Sequence, residues 1–200
     1  MKNLVVLMLF AAFLLSGCIK KVESKRDAAI ESAKKVATEA ANSYLKELKS
    51  ILVREMKNGG PEAAFAVCSD TAQQFTKKFS TEKGIEIKRV AFLNRNDANI
   101  PDAGEMMWLK EFENMMKGSS FNKDTVLFRV EKTGKETTLH LVKPILLAEE
   151  CVVCHGSEEQ IPEGIKKLID EKYPNDKARN FKPGDLRGNV KIEIKIKQKK

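Results

Sequence analysis

From Ala28 to Met56 apolar residues recur every three or four positions: Ala28, Ala29, Ala33, Val36, Ala37, Ala40, Tyr44, Leu48, Ile51, Leu52 and Met56. That is the period of a helix with one buried face. It predicts a helix over 22–57, stopped by Asn58-Gly59-Gly60. At 1.5 Å per residue such a rod is roughly 54 Å long, more than a small domain can cover. It must therefore kink or leave its N-terminal end protruding. The small alanines of its first half suit close packing against another helix or against a second copy of the chain.

The rest of the chain mixes helical and strand patterns. Pro61 opens a second helix over 61–79. Its stripe, Phe65, Cys68, Ala72, Phe75 and Phe79, puts Cys68 on the buried face. Gly84 ends that helix, and Ile85 to Phe92 reads as a strand. Asp102 with Glu105 is the cap pairing of a third helix, 103–117, which carries Met106, Met107, Met115 and Met116. Residues 125–132 and 136–146 form a hairpin around Thr133-Gly134, with Pro144 marking an edge or an end of the second strand. A short helix follows over 162–173, and Lys191 to Lys197 alternates as a strand with one solvated face. The order predicts an α+β fold with a small antiparallel sheet. Composition agrees. In 200 residues, 42% hydrophobic and 32% charged, Gly and Pro are too few for a collagen-like or low-complexity chain. With 6% aromatics the core must be mostly aliphatic.

The start of the chain reads as an address. Lys2 precedes an apolar run from Leu4 to Leu15, too short to span a bilayer comfortably, which closes on Leu15-Ser16-Gly17-Cys18. This ending resembles the lipobox of bacterial lipoproteins, which implies cleavage before Cys18 and lipidation of its sulfur. The expected organisation is a signal peptide over 1–17, a lipid-anchored tether over 18–27, a domain over 28–197 and a basic tail over 198–200. Two acyl chains anchor stably. The expected location is extracytoplasmic, on a bacterial membrane facing the periplasm. There the net charge of +8 meets an anionic membrane or an acidic redox or signalling protein and not nucleic acid. The terminal lysines read as a solvated tail.

Of the four cysteines, Cys151 and Cys154 stand in Cys151-Val152-Val153-Cys154-His155-Gly156. C-x-x-C-H is the attachment spacing of c-type haem: two thiols add to two vinyl groups, and the histidine turns back to the iron. With only four Cys and two His in the chain, the spacing is not a product of composition. A thioredoxin-like pair would follow a strand in a βαβ pattern, which is absent here. A structural zinc site wants four ligands, which Cys68 and His140 would have to complete. The export signal favours haem. Cys68 is left over, either a core thiol or a second axial ligand to iron. Its rivals as ligand are His140, in an alternating strand, and the methionines at 106, 107, 115 and 116.

Several stretches together resemble a known family: Cys68-Ser69-Asp70, Arg89 with Asn94-Arg95-Asn96-Asp97-Ala98-Asn99, Pro101-Asp102 with Glu105, Lys143-Pro144-Ile145, Cys151 to Gly156, and Gly184-Asp185-Leu186-Arg187-Gly188. It is a family of extracytoplasmic c-type haem domains, long labelled a domain of unknown function. Its members occur alone or as the sensory module of histidine kinases and diguanylate cyclases. The resemblance covers roughly 28–197. It implies a PAS-like sheet, one haem held covalently at Cys151 and Cys154, and His155 and Cys68 as axial iron ligands. Gly104 departs from the family, where an aromatic residue is common. Three functions follow as expectations. The first is redox or gas sensing. The second is periplasmic electron transfer as a cytochrome c. The last is haem catalysis, for which the sequence offers no distal acid–base pair beyond His140.

Overall fold

The computed structural model describes residues 2–118 and 120–197, with side chains from residue 24 onward. The side chains of the signal segment and of Cys18, and the tail at 198–200, lie outside the described residues. Among the described residues no helix is long and apolar enough to cross a membrane.

Helix α1 runs Lys2–Ala66 and is broken once, at Gly60 (φ 73°, ψ −165°). A backbone of that kind suits glycine alone. The chain re-enters helix at Pro61, whose missing N–H costs nothing in a first turn. A π-helical turn, Val67–Thr71, follows directly and leads into α2, Ala72–Lys83, closed by Gly84. Strand β1 is Glu86–Val90, and a 3₁₀ turn at Asp97–Asn99 precedes α3, Ala103–Lys117. The cap expected at Asp102 is present in full: Asp102 accepts from the Glu105 N–H at 2.8 Å, and Glu105 accepts from the Asp102 N–H at 3.0 Å. Strands β2, Leu127–Thr133, and β3, Glu136–Leu146, make the hairpin. A 3₁₀ turn, Glu149–Cys151, runs into the one-turn helix α4, Val152–His155. Helix α5, Glu163–Lys172, and strand β4, Leu186–Ile196, complete the chain.

The strands form one antiparallel PAS-like sheet in the order β1-β4-β3-β2. Pro144 is not on an edge strand, because β3 lies between β4 and β2. The proline is tolerated because β2 reaches only Val142, which leaves β3 unpaired on that side at residue 144. Next to it, the register slips between Ile145 and Leu146.

Both faces of the sheet are covered. On one, Ala33, Ala37, Ala40, Ala41 and Tyr44 of α1 meet Phe79, Leu139, Leu141, Val190 and Ile192. The alanines let the rod lie close, and the N-terminal half is therefore committed to the sheet. Tyr44 is fully buried, stacked on Phe75 and edge-on to Phe79. On the other face Trp108 and Phe112 of α3 close over Val142, Leu127 and Leu186. A string of charges crosses that second face. Glu105 pairs with Lys88 at 2.6 Å and with Lys191 at 2.9 Å, Lys191 pairs with Glu193, and Glu193 with His140.

Candidate functional site

At one end of the sheet lies a cleft of about 900 Å³, its open mouth included. Its walls bring together residues far apart in sequence: Phe65 and Cys68 from the α1–π segment, Arg89 from β1, Cys151 and His155 from the C-x-x-C-H turn, Tyr173 after α5, and Arg187 from β4.

The π-turn sets the position of Cys68. The helical stripe predicts Cys68 in the core beside Phe65 and Ala72. Phe65, Ala72 and Phe79 are indeed buried, but Cys68 is exposed to the cleft. A π-turn bonds i to i+5 and holds more residues than an α-turn, so a strict 3-4 stripe misplaces the side chains within it. The turn is pinned from outside. Lys172 donates to the Ser69 hydroxyl at 3.2 Å and pairs with Asp70, and the Tyr173 hydroxyl reaches the Ser69 carbonyl at 3.5 Å. Burial by the surrounding walls pushes the Cys68 thiol pKa up, and Arg89 is the strongest charge pulling it back.

The C-x-x-C-H turn is held from the opposite side. Cys151 and Cys154, three residues apart, sit one helical turn apart. Cys151 packs with Leu147, Ala178 and Phe181, whereas Cys154 leans on Phe65, Ile161, Ile165 and Ile169. Cys154 does not itself line the cleft. Burial raises both thiols, Cys154 to about 11, and both are free. The loop after α5 is laced to this turn by Asn180 N–H to the Gly156 carbonyl at 2.8 Å and Phe181 N–H to the His155 carbonyl at 2.9 Å. His155 Nδ1 donates to the Ala178 carbonyl at 2.7 Å. Burial first, then Arg187 and Arg95, hold the imidazole pKa well below its ordinary value. A neutral ring with Nδ1–H committed keeps a lone pair on Nε2, the form that ligates a metal.

Arg95 ties the two sides together. It grips Asp176 at 3.0 and 3.2 Å, the Cys154 carbonyl at 2.7 Å and the Ala178 carbonyl at 3.2 Å. The carboxylate of Asp176 is a buried one. Burial alone would raise its pKa, but the bonds from Arg95, the Ala178 N–H and Arg179 win and lower it. Arg187, half-buried over Phe181, has its pKa drawn down to about 10 by burial and then by Arg95.

The alternative ligands lie elsewhere. His140 sits on the α3 face of the sheet between Glu131 at 3.3 Å and Glu193 at 3.4 Å. None of the four methionines lines the cleft. Met115 packs beside Trp108 and Phe112, and Met116 lines a shallower depression with Leu93 and Phe181. Among the described residues no cluster of three or more His, Cys, Asp and Glu could hold a bare metal ion. Cys68 and His155 can each offer one donor into the cleft, which fits a metal whose other ligands come from a larger group. The arginines carry no functional reading in the sequence beyond their place in the family's motifs, since a single Arg has no diagnostic spacing. Only the fold shows that Arg89, Arg95 and Arg187 converge.

The model of the Tll0287-like family matches residues 19–195. The chain belongs to the Tll0287-like family. Among solved structures, the cyanobacterial heme-protein Tll0287 is similar with a TM-score of 0.60 and 24% identity, over 85% of this chain and 98% of that one. No curated protein matches.

Proposed function

We propose that the chain is a haem-binding protein, a membrane-anchored mono-haem c-type cytochrome acting in redox or gas sensing. The observation that carries this reading is the meeting, in one cleft, of Cys68 and His155 beside the Cys151–Cys154 turn. The family match and the likeness to a protein described as a heme-protein support the cofactor.

In this reading Cys151 and Cys154 would hold haem covalently, and His155 and Cys68 would be its axial iron ligands. The donor set suits the group: two free thiols at the attachment spacing and an oriented neutral imidazole, with a third thiol in the same cleft. Bound haem would supply one-electron chemistry and a site for small gases at its iron. The Ala178 carbonyl holds the imidazole of His155 in a fixed orientation, which makes His155 the permanent ligand. Cys68 hangs from a π-turn, a form often found at functional sites. As a thiolate it favours ferric over ferrous iron. Cys68 would therefore be the donor less firmly held when the group is reduced, with the π-turn as the two-state element a signal needs. Cys18 carries the lipid that fixes the domain to a membrane surface facing the periplasm, where a redox or signalling protein is the partner. A plain electron carrier would instead keep both ligands in both oxidation states.

The test is the absorption and EPR spectrum of the ferric protein beside Cys68→Ala. Low-spin thiolate signals in the native protein, lost in the variant, are expected. On reduction, carbon monoxide should bind rapidly to the native protein. An unchanged ferric spectrum in Cys68→Ala would remove Cys68 from the iron and leave electron transfer as the better reading. Cys151→Ser with Cys154→Ser should release the haem to acidic organic solvent.

A further inference from the structure

Among the described residues, two cations in the cleft wall have no ion-pair partner. The lining includes Arg89, Arg95 and Arg187 and no Asp or Glu. Arg95 is committed to Asp176 and two carbonyls. Its neighbour outside the cleft, Arg179, is committed to Glu158, Asp170 and Asp176. Arg89 and Arg187 are different: among the described residues neither comes within ion-pair distance of a carboxylate. Arg187 gives one hydrogen bond, to the Leu93 carbonyl at 3.0 Å, and covers the Phe181 ring at 5.4 Å. Arg89 rests against the Tyr44 hydroxyl. A guanidinium has five N–H donors in a planar fork made for carboxylate, so most of the donors on these two are unspent. Partly desolvated cations without anions are unfavourable, and a fold keeps them where an anion completes the site.

The two come from neighbouring strands, β1 and β4, where Arg89 pairs with Val190 and Arg187 lies a short way before it. We infer that Arg89 and Arg187 are two carboxylate seats, each receiving one of the two propionate carboxylates of the haem. This inference rests on the haem-binding reading above and extends it. Cys151 and Cys154 would hold the vinyl edge of the group and His155 its iron. The two arginines would take the opposite, propionate edge of the flat macrocycle and cancel its two negative charges inside the cleft. They are positioning residues.

The experiment uses the full chain purified without haem, titrated with ferric haem and with ferric haem dimethyl ester, in which both carboxylates are masked. The native chain should bind haem at least tenfold more tightly than the diester, the scale of one charge-assisted pair. Arg89→Gln and Arg187→Gln should each weaken haem about tenfold and leave the diester unchanged, and Arg187→Lys should recover part of the loss. Far-UV circular dichroism identifies any variant that fails to fold, and the lysine variant then carries the test. Equal binding of haem and diester by the native chain overturns the inference while leaving haem binding intact. The same result is expected if a small free anion is the true occupant. An equal loss for haem and diester in the glutamine variants also overturns it, because the effect is then not one of charge. Binding of neither probe by the native chain would overturn the haem reading, and with it the inference.

Discussion

At the scale of single residues, the site depends on side chains fixed by close contact. Gly156 ends the C-x-x-C-H turn with its N–H on the Val152 carbonyl at 2.7 Å. A Cβ at that position would lie 2.6 Å from Val152 Cγ1 and 2.7 Å from the Val152 carbonyl oxygen. Gly156→Ala should therefore cost about 1–3 kcal/mol of stability, the range of an overpacked core. It should also swing the imidazole of His155 off its bond to Ala178. A lower urea midpoint and a shifted haem Soret band would show both. Glu105 titrates in a way that can be predicted in sign. Burial raises its carboxyl pKa, but bonds from Lys88, Lys191 and the Asp102 N–H more than offset this and hold it below its ordinary value of 4.5. A group whose pKa is lowered on folding stabilises fully above the unfolded value, and that contribution is lost as pH falls through the folded value. Unfolding free energy should thus drop on acidification below about pH 4.5, and the part of the drop due to this group should vanish in Glu105→Gln. Urea titrations from pH 7 to 3 on both proteins measure it.

At the scale of elements, the Arg95–Asp176 contact decides how the loop after α5 is held onto the C-x-x-C-H turn. The Arg95–Asp176 pair is the lock, with side chains only 9% and 3% exposed. Removing one partner of a buried pair costs about 3–5 kcal/mol, because the other is left charged and alone. Asp176→Ala should fall in that range by chemical denaturation, and the exchange protection of the Asn180 and Phe181 amides should fall with it. Most elements could be read from the chain. Gly60 broke the first helix where expected, Asp102 and Glu105 capped α3, and the hairpin and final strand followed their alternation. These are local signals, written within four or five residues. The π-turn could not be read, because one additional residue in a helix leaves the apolar count intact and changes only the direction of a side chain. Pro144 misled for a related reason: a proline marks an unpaired side, and the sequence does not say how far a neighbouring strand extends. The C-x-x-C-H part of the candidate site was visible as a spacing. Its supports were not, since Ala178 acts through a backbone carbonyl and Arg95 and Asp176 are 81 residues apart.

At the scale of the whole molecule, the sheet separates two cores that share no side chains. Leu139 belongs to the α1 side and Phe112 to the α3 side, and both are fully buried. Leu139→Ala should cost about 2–5 kcal/mol and Phe112→Ala about 3–5 kcal/mol. Their double mutant should be additive within roughly 0.5 kcal/mol if the sheet insulates the two. The urea midpoints of the four proteins settle this, and strong coupling would mean that the sheet yields as one body.

The single bend in α1 has a mechanical consequence. The stem packs on the sheet from Ala33 to Leu48, bends once at Gly60, and eight residues later delivers Cys68. Stem and sulfur are joined through that one bend. Because Ala33 to Leu48 are packed against the sheet, a shift of Cys68 is absorbed at the Gly60 bend and is not passed along the stem.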